Sequence, residues 1–380
     1  MRSDTKLDRR SRNNARVTIT DLSQALCLTK GTVSRALNGY PDISEATRLR
    51  VVRAAQAMGY RPLTHAQAIK TGRSRSIGFV VELSQKDAHR PFLAEFLAGL
   101  TQAASYEGWT LTVATSETEA DTLKIMRSLV QQQKADGFIL PRVLWQDPRI
   151  ALLSAEKIPF ICYGRPKNYE NLSYFDIESE LSMREAVQHF VDLGHQQIAY
   201  IGSATHYAFS HHRRDGYLRG MNEAGLVPDP FLIKEGVVSA EDAAEATRGL
   251  LALDEPPTAV LCATDTLARG VYEVANQIGL KIGSEISVIG YDGSPEASAM
   301  WPHLSTFSID NRKAGVALGT MFIDRIREPD APVVQTLLQS HLCRAGSTGA
   351  PVLSPEQLAH RLAPFQGQLI HSHQNSGRER

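Results

Sequence analysis

Residues 17–62 read VTITDLSQALCLTKGTVSRALNGYPDISEATRLRVVRAAQAMGYRP. Apolar side chains recur in this stretch at helical spacing, which predicts three short helices over 19–26, 30–38 and 45–58. Each predicted helix follows a hydroxyl side chain that can accept hydrogen bonds from the first free N–H groups. These capping residues are Thr18, Thr29 and Ser44. Since helices this short need a shared apolar core, we predict one small helical domain.

The second predicted helix carries the polar side chains that a DNA-reading helix requires. Two short helices joined by a tight turn are typical of a helix-turn-helix motif, which places its second helix in the major groove. Arg35 can form paired hydrogen bonds with a guanine, while Lys30, Thr32 and Ser34 can contact bases or phosphates. The sequence therefore predicts a domain that binds double-stranded DNA.

Charge is distributed unevenly along a chain with no net charge. Residues 1–75 hold 15 Lys and Arg residues against 5 Asp and Glu, although the whole chain of 380 residues has 41 of each. A basic end on an acidic body is typical of a protein that meets a polyanion, and a solvated basic tail would have the same composition. Residues 1–16 are polar and basic, so we predict a disordered arm there.

The rest of the chain alternates apolar strands with amphipathic helices. Predicted strands cover 76–83, 110–116, 136–141, 159–164, 197–202, 258–264 and 286–292, with helices over 92–107, 119–133, 180–193, 213–224 and 265–278. This alternation is typical of parallel sheets covered by helices on both faces. Since the strands are too many for one compact sheet, we predict two α/β lobes.

Several function classes lack support in the sequence. The four cysteines are far apart and form no CxxC pair, which argues against a zinc site and a disulfide framework. No apolar segment resembles a secretory signal or approaches the ~18 residues of a membrane span, so we predict a soluble cytoplasmic protein with no membrane contact. No nucleophile-elbow, Walker A, HExxH or kinase signature occurs, so we predict neither an enzyme nor a cofactor. His195 lies in a predicted turn, where we expect a structural role.

The N-terminal domain resembles that of the LacI/GalR family of bacterial transcription regulators. The resemblance is carried, in order, by Val17-Thr18, Asp21-Leu22, Thr32-Val33-Ser34-Arg35, Leu37-Asn38-Gly39, Ser44, Thr47, Val51 and Gly59-Tyr60-Arg61-Pro62. It implies that Lys30, Gly31 and Arg35 occupy the base-reading positions. It further implies phosphate contacts for Thr18, Thr29, Thr32, Ser34 and Asn38. Thr18 and Thr29 could instead act only as helix caps.

Two residues depart from the family pattern. Cys27 replaces a turn glycine, which predicts backbone strain if this position needs a positive φ. Gly31 leaves one base-reading position without a side chain, so we expect the second helix to read fewer bases directly.

The resemblance continues into a linker over 63–75, whose residues 63–71 match the family's hinge helix. A segment this short does not hold a helix alone in water, so it should order only when two copies pack in the minor groove. The resemblance places Ile69 as the apolar wedge that kinks the duplex, and His65 beside it in the DNA-binding segment. Ile69 could instead pack onto the body.

Residues 76–345 resemble the family's effector-binding and dimerisation core, a two-lobed fold shared with periplasmic sugar-binding proteins. SIGFVV, ADGFIL, LGHQQIAYIG, ATDTLARGVY and ISVIGYDGS carry this resemblance. It implies that a small effector, a sugar in the first place, binds in the cleft between the lobes. The implied effector-binding residues are His89, Arg90, Phe92, Phe209, Arg213, Thr264, Asp292 and Trp301. We expect Asp265 to cap a helix and Arg165 to form an ion pair between the lobes.

The C-terminal segment offers two interpretations. Leu358, Leu362, Phe365 and Leu369 recur with a spacing typical of a leucine-heptad helix. Pro364 and Gly367 interrupt the pattern, so we predict a flexible tail over 346–380 and a homodimer on a near-palindromic operator.

The sequence thus predicts a helix-turn-helix domain on a two-lobed α/β core, acting as a repressor controlled by a sugar. A regulator that responds to a nucleobase or another metabolite is the main alternative. The other two alternatives are a transport protein that binds a small molecule and an enzyme with an α/β fold.

Overall fold

The structure is a computed structural model that describes residues 17–60, 73–83 and 92–370. The chain divides into two compact units, an N-terminal domain that ends at Ser74 and a body that begins at Arg75. The predicted arm over 1–16 and the predicted hinge helix over 63–71 lie outside the described residues, and so do His65 and Ile69.

The N-terminal domain contains α1 (Ile19–Leu26), α2 (Lys30–Leu37) and α3 (Glu45–Met58). These bounds confirm the predicted helices, except that α2 ends one residue earlier. The three predicted caps form as well: Thr18, Thr29 and Ser44 each accept a hydrogen bond from the backbone N–H three residues on. Six side chains make the shared core: Leu22, Leu26, Val33, Ala36, Val51 and Ala55.

The turn between α1 and α2 is strained at Cys27, as the sequence predicts. Cys27 caps the C-terminus of α1 in the left-handed conformation, with φ 52° and ψ 42°. A side chain with a Cβ disfavours this conformation by about 1–2 kcal/mol, and glycine does not carry that penalty. The thiol is exposed and can be replaced without disturbing the core.

The body is built from strands and helices that alternate along most of its length. In chain order these are β1 (Ser76–Glu82), α4 (Phe92–Tyr106), β2 (Thr110–Ser116), α5 (Glu119–Gln131), β3 (Gly137–Leu140), α6 (Pro148–Ala155), β4 (Phe160–Tyr163), β5 (Tyr174–Ile177), α7 (Ser179–Asp192), β6 (Ile198–Ile201), α8 (Ala208–Glu223), β7 (Ile233–Lys234), α9 (Ala240–Leu251), β8 (Ala259–Cys262), α10 (Asp265–Gln277), β9 (Ser287–Asp292), α11 (Pro295–Ala299), β10 (Ser305–Ser308), α12 (Asn311–Arg327), β11 (Gln335–Leu338), β12 (His341–Cys343), α13 (Pro355–Leu362) and α14 (Gln366–Ile370).

These strands form two sheets and therefore two lobes, which confirms the predicted fold class. The first sheet has the order β11-β5-β4-β3-β1-β2 with parallel pairing, and α4 packs against α12 on one side of it. Glycine at position 99 permits this helix pair, because a Cβ there would collide with the carbonyl oxygen of Arg312. The second sheet has the order β12-β10-β9-β8-β6-β7, in which β12 is antiparallel to β10.

The described chain crosses between the lobes three times, from β5 to α7, from β10 to α12 and from β11 to β12. Strand ends of both sheets meet at these crossings, which is where open parallel sheets bind ligands. The crossings therefore fix the position of the candidate effector site.

The predicted flexible tail is wrong for the segment up to residue 370. It contains α13, a short 3-10 helix over Ala363–Phe365 and α14. Leu358, Leu362 and Leu369 are at most 2% exposed and belong to the main core of the body. Pro364 does not end the helical segment, because it falls in the 3-10 turn that joins α13 to α14. The leucine pattern thus serves packing within one chain, and the folded body extends past the predicted boundary at residue 345.

Candidate DNA-binding surface and effector cavity

The predicted base-reading positions lie on the exposed side of α2. Lys30, Gly31 and Arg35 are exposed, while Val33 and Ala36 point into the core of the domain. The exposed face begins at the N-terminus of α2, which is the end of a recognition helix that reaches base edges.

All five predicted phosphate contacts have local hydrogen bonds. Thr29 Oγ1 accepts from the N–H of Thr32 at 3.0 Å, and the two hydroxyls are 2.8 Å apart. The Asn38 side chain donates to the carbonyl oxygen of Ser34 at 2.6 Å. Together with Thr18, which shares a capping box with Asp21, these residues first stabilise the helix ends. A hydroxyl that accepts a backbone N–H through a lone pair can still donate its O–H, so a cap can also contact a phosphate oxygen.

The body contains a cavity of about 760 Å³ between its lobes. Its polar and aromatic lining comes from both sheets and from the loops that follow the strands: Glu82, Glu119, Thr122, Arg142, Arg149, Tyr163, Asp176, Ser179, Ser203, His206, Tyr207, Phe209, Arg213, Thr264, Asp265, Thr266, Asp292, Ser294 and Asn311. Four of the predicted effector residues therefore lie together here, namely Phe209, Arg213, Thr264 and Asp292.

Arg213 is held firmly in the cavity wall. The α8 helix starts at Ala208, five residues earlier than predicted, and so carries both Phe209 and Arg213. The guanidinium donates to the carbonyl oxygen of Ala263 and, at 3.3 Å, to Asp292 Oδ1. Its Cζ lies 3.7 Å from the ring centroid of Tyr291 and 4.7 Å from that of Phe209. Arg213 Nε is buried and has no hydrogen-bond partner among the described residues.

Asp292 supplies an acceptor beside this donor. Its backbone has φ 113°, an unfavourable value for a residue with a Cβ and one that is typically retained at functional sites. Its side chain remains 41% exposed toward the cavity. Desolvation in the wall raises the pKa of Asp292, and the positive charges of Arg213 and Arg142 partly oppose this shift.

The predicted role of Asp265 as a helix cap is wrong. The residue that caps α10 is Thr264, whose side chain accepts from the N–H of Leu267. Asp265 is 1% exposed and accepts from Thr306 Oγ1 at 2.6 Å and from the Ser294 N–H at 2.7 Å. Burial raises the pKa of Asp265 to about 7. The residue thus ties α10 to β10 at the edge of the cavity.

Arg142 and Tyr207 line the cavity without having been predicted. Arg142 follows β3 in the first lobe, with φ 47°, and its Cζ lies 4.2 Å from the ring centroid of Tyr207 in the second lobe. The two loops also join directly, because Ala208 N–H donates to the Val143 carbonyl at 3.0 Å. Trp145 adds a ring stack on His211, with centroids 4.2 Å apart. No local pattern reveals contacts between residues this far apart in sequence.

Trp301 does not belong to the cavity. The residue is 79% exposed and its ring contacts His303 instead, which corrects the predicted effector contact. His89 and Arg90 lie outside the described residues. Phe92 begins α4, and its side chain is likewise outside the described part of the chain.

A buried ion network beside the cavity links the lobes. Arg165 donates to Asp176 in β5 at 2.8 Å and to Glu180 in α7 at 2.7 Å, which confirms the predicted ion pair between the lobes. His212 of α8 places Nδ1 3.0 Å from Glu180 Oε1. Although burial opposes both shifts, hydrogen bonds lower the pKa of Glu180 to about 2 and raise that of His212.

His195 has the structural role that the sequence predicts. It is 2% exposed, and its ring nitrogens lie 2.8 Å from Thr258 Oγ1 and 3.0 Å from Ser287 Oγ. Its Nε2 is also 3.0 Å from the carbonyl oxygen of Gly349. Burial lowers the pKa of His195 and favours the neutral ring. Among the residues that the structure describes, no helix could cross a membrane and no His, Cys, Asp and Glu cluster could hold a metal ion.

Known protein families match both the N-terminal domain and the body. Residues 18–62 match the bacterial regulatory proteins of the lacI family, and residues 187–348 match the periplasmic binding protein-like domain. The HTH-type transcriptional regulator AglR of Rhizobium meliloti (strain 1021) is 34% identical over 352 residues, which cover 89% of this chain and 96% of AglR.

Two solved structures extend the comparison. A complex of the transcriptional regulator CelR with cellobiose has a TM-score of 0.68 at 27% identity, covering 87% of this chain and 100% of that one. The lac repressor dimer bound to its operator and the anti-inducer ONPF has a TM-score of 0.74 at 25% identity, covering 88% and 100%.

A helix-turn-helix domain followed by a two-lobed body with an internal cavity defines a DNA-binding transcriptional regulator with an effector-binding core. The chain belongs to the lacI family of bacterial regulatory proteins. Members of this family are transcriptional regulators rather than enzymes.

Proposed function

We propose that this protein is a cytoplasmic homodimeric repressor whose affinity for its operator changes when a sugar binds in the cavity of the body. The observation that carries the proposal is the composition of the cavity wall. Buried donors, carboxylates and aromatic rings converge there, as the recognition of a polyhydroxylated ring requires.

The charge of the wall favours a neutral ligand. Five carboxylates line the cavity, from Glu82, Glu119, Asp176, Asp265 and Asp292. Three guanidinium groups face them, from Arg142, Arg149 and Arg213. Arg149 is paired with Asp147, Asp176 with Arg165 and Asp292 with Arg213, so most of these charges are compensated within the protein. A sugar phosphate would need an excess of positive charge that this lining does not offer, whereas neutral hydroxyls can both donate to carboxylates and accept from arginines.

Aromatic surface lies beside these polar groups. Tyr207 and Phe209 stack with centroids 5.4 Å apart, and Tyr163 lines the wall of the first lobe. Their rings can cover the C–H face of a sugar while the polar groups contact its hydroxyls. A nucleobase could use the same rings, but it offers fewer hydrogen-bonding groups to the polar side chains of the wall than the hydroxyls of a sugar do.

The relatives support the same class of effector. CelR is solved with cellobiose, and the lac repressor is solved as a dimer on its operator. By this analogy we place two copies of α2 in successive major grooves, with Lys30 and Arg35 on base edges. Thr18, Thr29, Thr32, Ser34 and Asn38 position the helix on phosphates, and Gly31 permits close approach of the backbone.

The lobes provide the means of regulation. In the described part of the body they are joined by three crossings and by side-chain contacts across the cavity, so the angle between them can change without breaking a sheet. A sugar alters DNA binding only if it binds the two lobe arrangements with different affinity.

The experiment is a thermal-shift screen of the full-length protein against monosaccharides, disaccharides, sugar phosphates and purines. A ligand at about 100 times its Kd should stabilise the body by about 2.7 kcal/mol, which raises Tm by several degrees. A shift with neutral sugars, followed by a change in DNA affinity on adding the same sugar, is the expected result. A shift with purines alone would contradict the proposed effector and favour the nucleobase alternative.

A further inference from the structure

We propose that Asp42 is a specificity-determining residue for DNA recognition, because it holds the Arg35 guanidinium in the orientation that reads one base pair. The inference deepens the proposed operator recognition and rests on the position of Arg35 on α2. Asp42 itself occupies the loop between α2 and α3 and has no place in the helix-turn-helix pattern.

Three contacts restrain Arg35 in the described N-terminal domain. Its Nη2 forms an ion pair with Asp42 Oδ2. Its Cζ lies 5.3 Å from the ring centroid of Tyr40, within range of a cation–π contact. The backbone closes the same loop, since Tyr40 N–H donates to the Arg35 carbonyl at 3.1 Å. Arg48 Nη2 in turn donates to the Tyr40 carbonyl at 3.1 Å, so the loop is anchored to α3.

Because these contacts restrain its guanidinium, Arg35 can contact fewer groups of the DNA than an unrestrained exposed arginine. Arg35 and Asp42 remain 51% and 46% exposed at their side chains, so the pair lies on the surface and stays accessible. A guanidinium carries five N–H donors, so one can bind Asp42 while others remain for a base edge. An unsupported arginine would also reach nearby phosphates, which binds DNA without reading sequence.

The charge of Asp42 has a separate effect. A carboxylate on a surface that faces DNA repels phosphates and lowers affinity for every sequence equally. This repulsion weakens specific and non-specific binding alike, while orientation of Arg35 strengthens the specific contact alone. Only the orientation of Arg35 therefore raises the ratio of specific to non-specific affinity.

The test starts by selecting a preferred duplex from a randomised DNA library with full-length wild-type protein. Dissociation constants are then measured for that duplex and for every single base-pair change. Arg35→Ala should lose discrimination at one base pair, which identifies the pair that Arg35 reads. Asp42→Asn should lower discrimination at that pair by roughly two- to five-fold, the contribution of an exposed ion pair, and should tighten binding to non-specific DNA.

Glu45→Gln is the matched control. Glu45 belongs to the same domain, is 70% exposed and pairs with Arg48 rather than with Arg35. Its variant also removes one negative charge, so it should tighten non-specific binding while discrimination at the Arg35 base pair stays unchanged. Asp42→Glu should restore part of the discrimination, and Asp42→Asn should have no further effect on it in the Arg35→Ala background.

The proposal fails if Asp42→Asn matches Glu45→Gln, because Asp42 would then act through its charge alone. It also fails if Arg35→Ala leaves discrimination intact at every base pair. Selection of no preferred sequence by the wild-type protein would instead count against the proposed operator recognition itself.

Discussion

The Arg213 guanidinium lies against the Tyr291 ring, with Cζ 3.7 Å from the ring centroid, and its Nε is buried without a hydrogen-bond partner among the described residues. The ring and Asp292 fix the side chain before any ligand arrives, so little side-chain entropy remains to be lost on binding. A donor oriented in advance in this way is what a specific effector site requires.

Replacing Arg213 with methionine should therefore abolish the response to the effector and leave operator binding intact. Methionine retains the apolar contact with Tyr291 but removes every donor. The thermal shift caused by the sugar and the DNA affinity with and without it should be measured together. Arg214→Met is the control, since Arg214 is 38% exposed and pairs with Glu235. Loss of operator binding together with the response would show that Arg213 is structural.

The ion pair between His212 and Glu180 predicts a pH dependence of stability. The pKa of His212 is raised in the folded body above its ordinary value of 6.5. The stabilisation is therefore complete below pH 6.5 and is lost as the pH rises through the raised pKa. Denaturant unfolding between pH 6 and 8.5 should show wild-type stability falling relative to His212→Asn.

His303→Asn serves as the control for this titration. His303 is exposed and does not contact the Glu180 network. Its variant should keep the wild-type profile. If the unfolding free energies of the wild type and His212→Asn change with pH in parallel, the buried pair does not contribute stability at neutral pH.

The strained turn predicts a stabilising substitution. Cys27→Gly should stabilise the N-terminal domain by about 1 kcal/mol, because glycine adopts φ 52° without the steric penalty of a Cβ. Hydrogen exchange of the α1 amides in full-length protein would report the change. Cys27→Ser loses the thiol but keeps the Cβ, so it should give no gain. If both variants protect the α1 amides from exchange equally well, the gain comes from removal of the thiol and not from relief of backbone strain.

The packing of the C-terminal segment against the body predicts a large loss of stability when one of its buried leucines is shortened. Leu362 is 0% exposed, so Leu362→Ala should cost about 2–5 kcal/mol of the body's unfolding free energy. Val352→Ala, at a position 62% exposed, should stay within about 0.5 kcal/mol of wild type. Chemical denaturation measures both. A Leu362→Ala cost as small as that of Val352→Ala would mean that the segment does not stay docked in solution.

The parts of the fold that depend on neighbours in sequence were predictable. The three helices of the N-terminal domain begin and end where local caps dictate, with Thr18 and Asp21 forming both bonds of a capping box. The buried strands followed from uninterrupted apolar runs such as Ile198–Ile201. In contrast, α8 begins after Tyr207 with no side-chain cap, so no capping residue in the sequence marks where this helix starts.

The candidate site was predictable only in part, because its two walls come from separate lobes. Arg213 and Asp292 could be named from their stretches of sequence. Arg142 could not, since its partner Tyr207 is 65 positions away and belongs to the other lobe. The prediction for Trp301 was wrong for a different reason. An aromatic residue near a strand end need not point inward, and this one is 79% exposed.

The buried position of Leu369 also decides how the protein can be handled in the laboratory. An affinity tag, a fluorescent reporter or an anchoring peptide joined upstream of residue 370 would remove a side chain that is 2% exposed from its site in the core. Fusions should therefore begin downstream of Ile370, and a gene shortened to the boundary of the matched binding-protein domain at residue 348 would encode a body without α13 and α14.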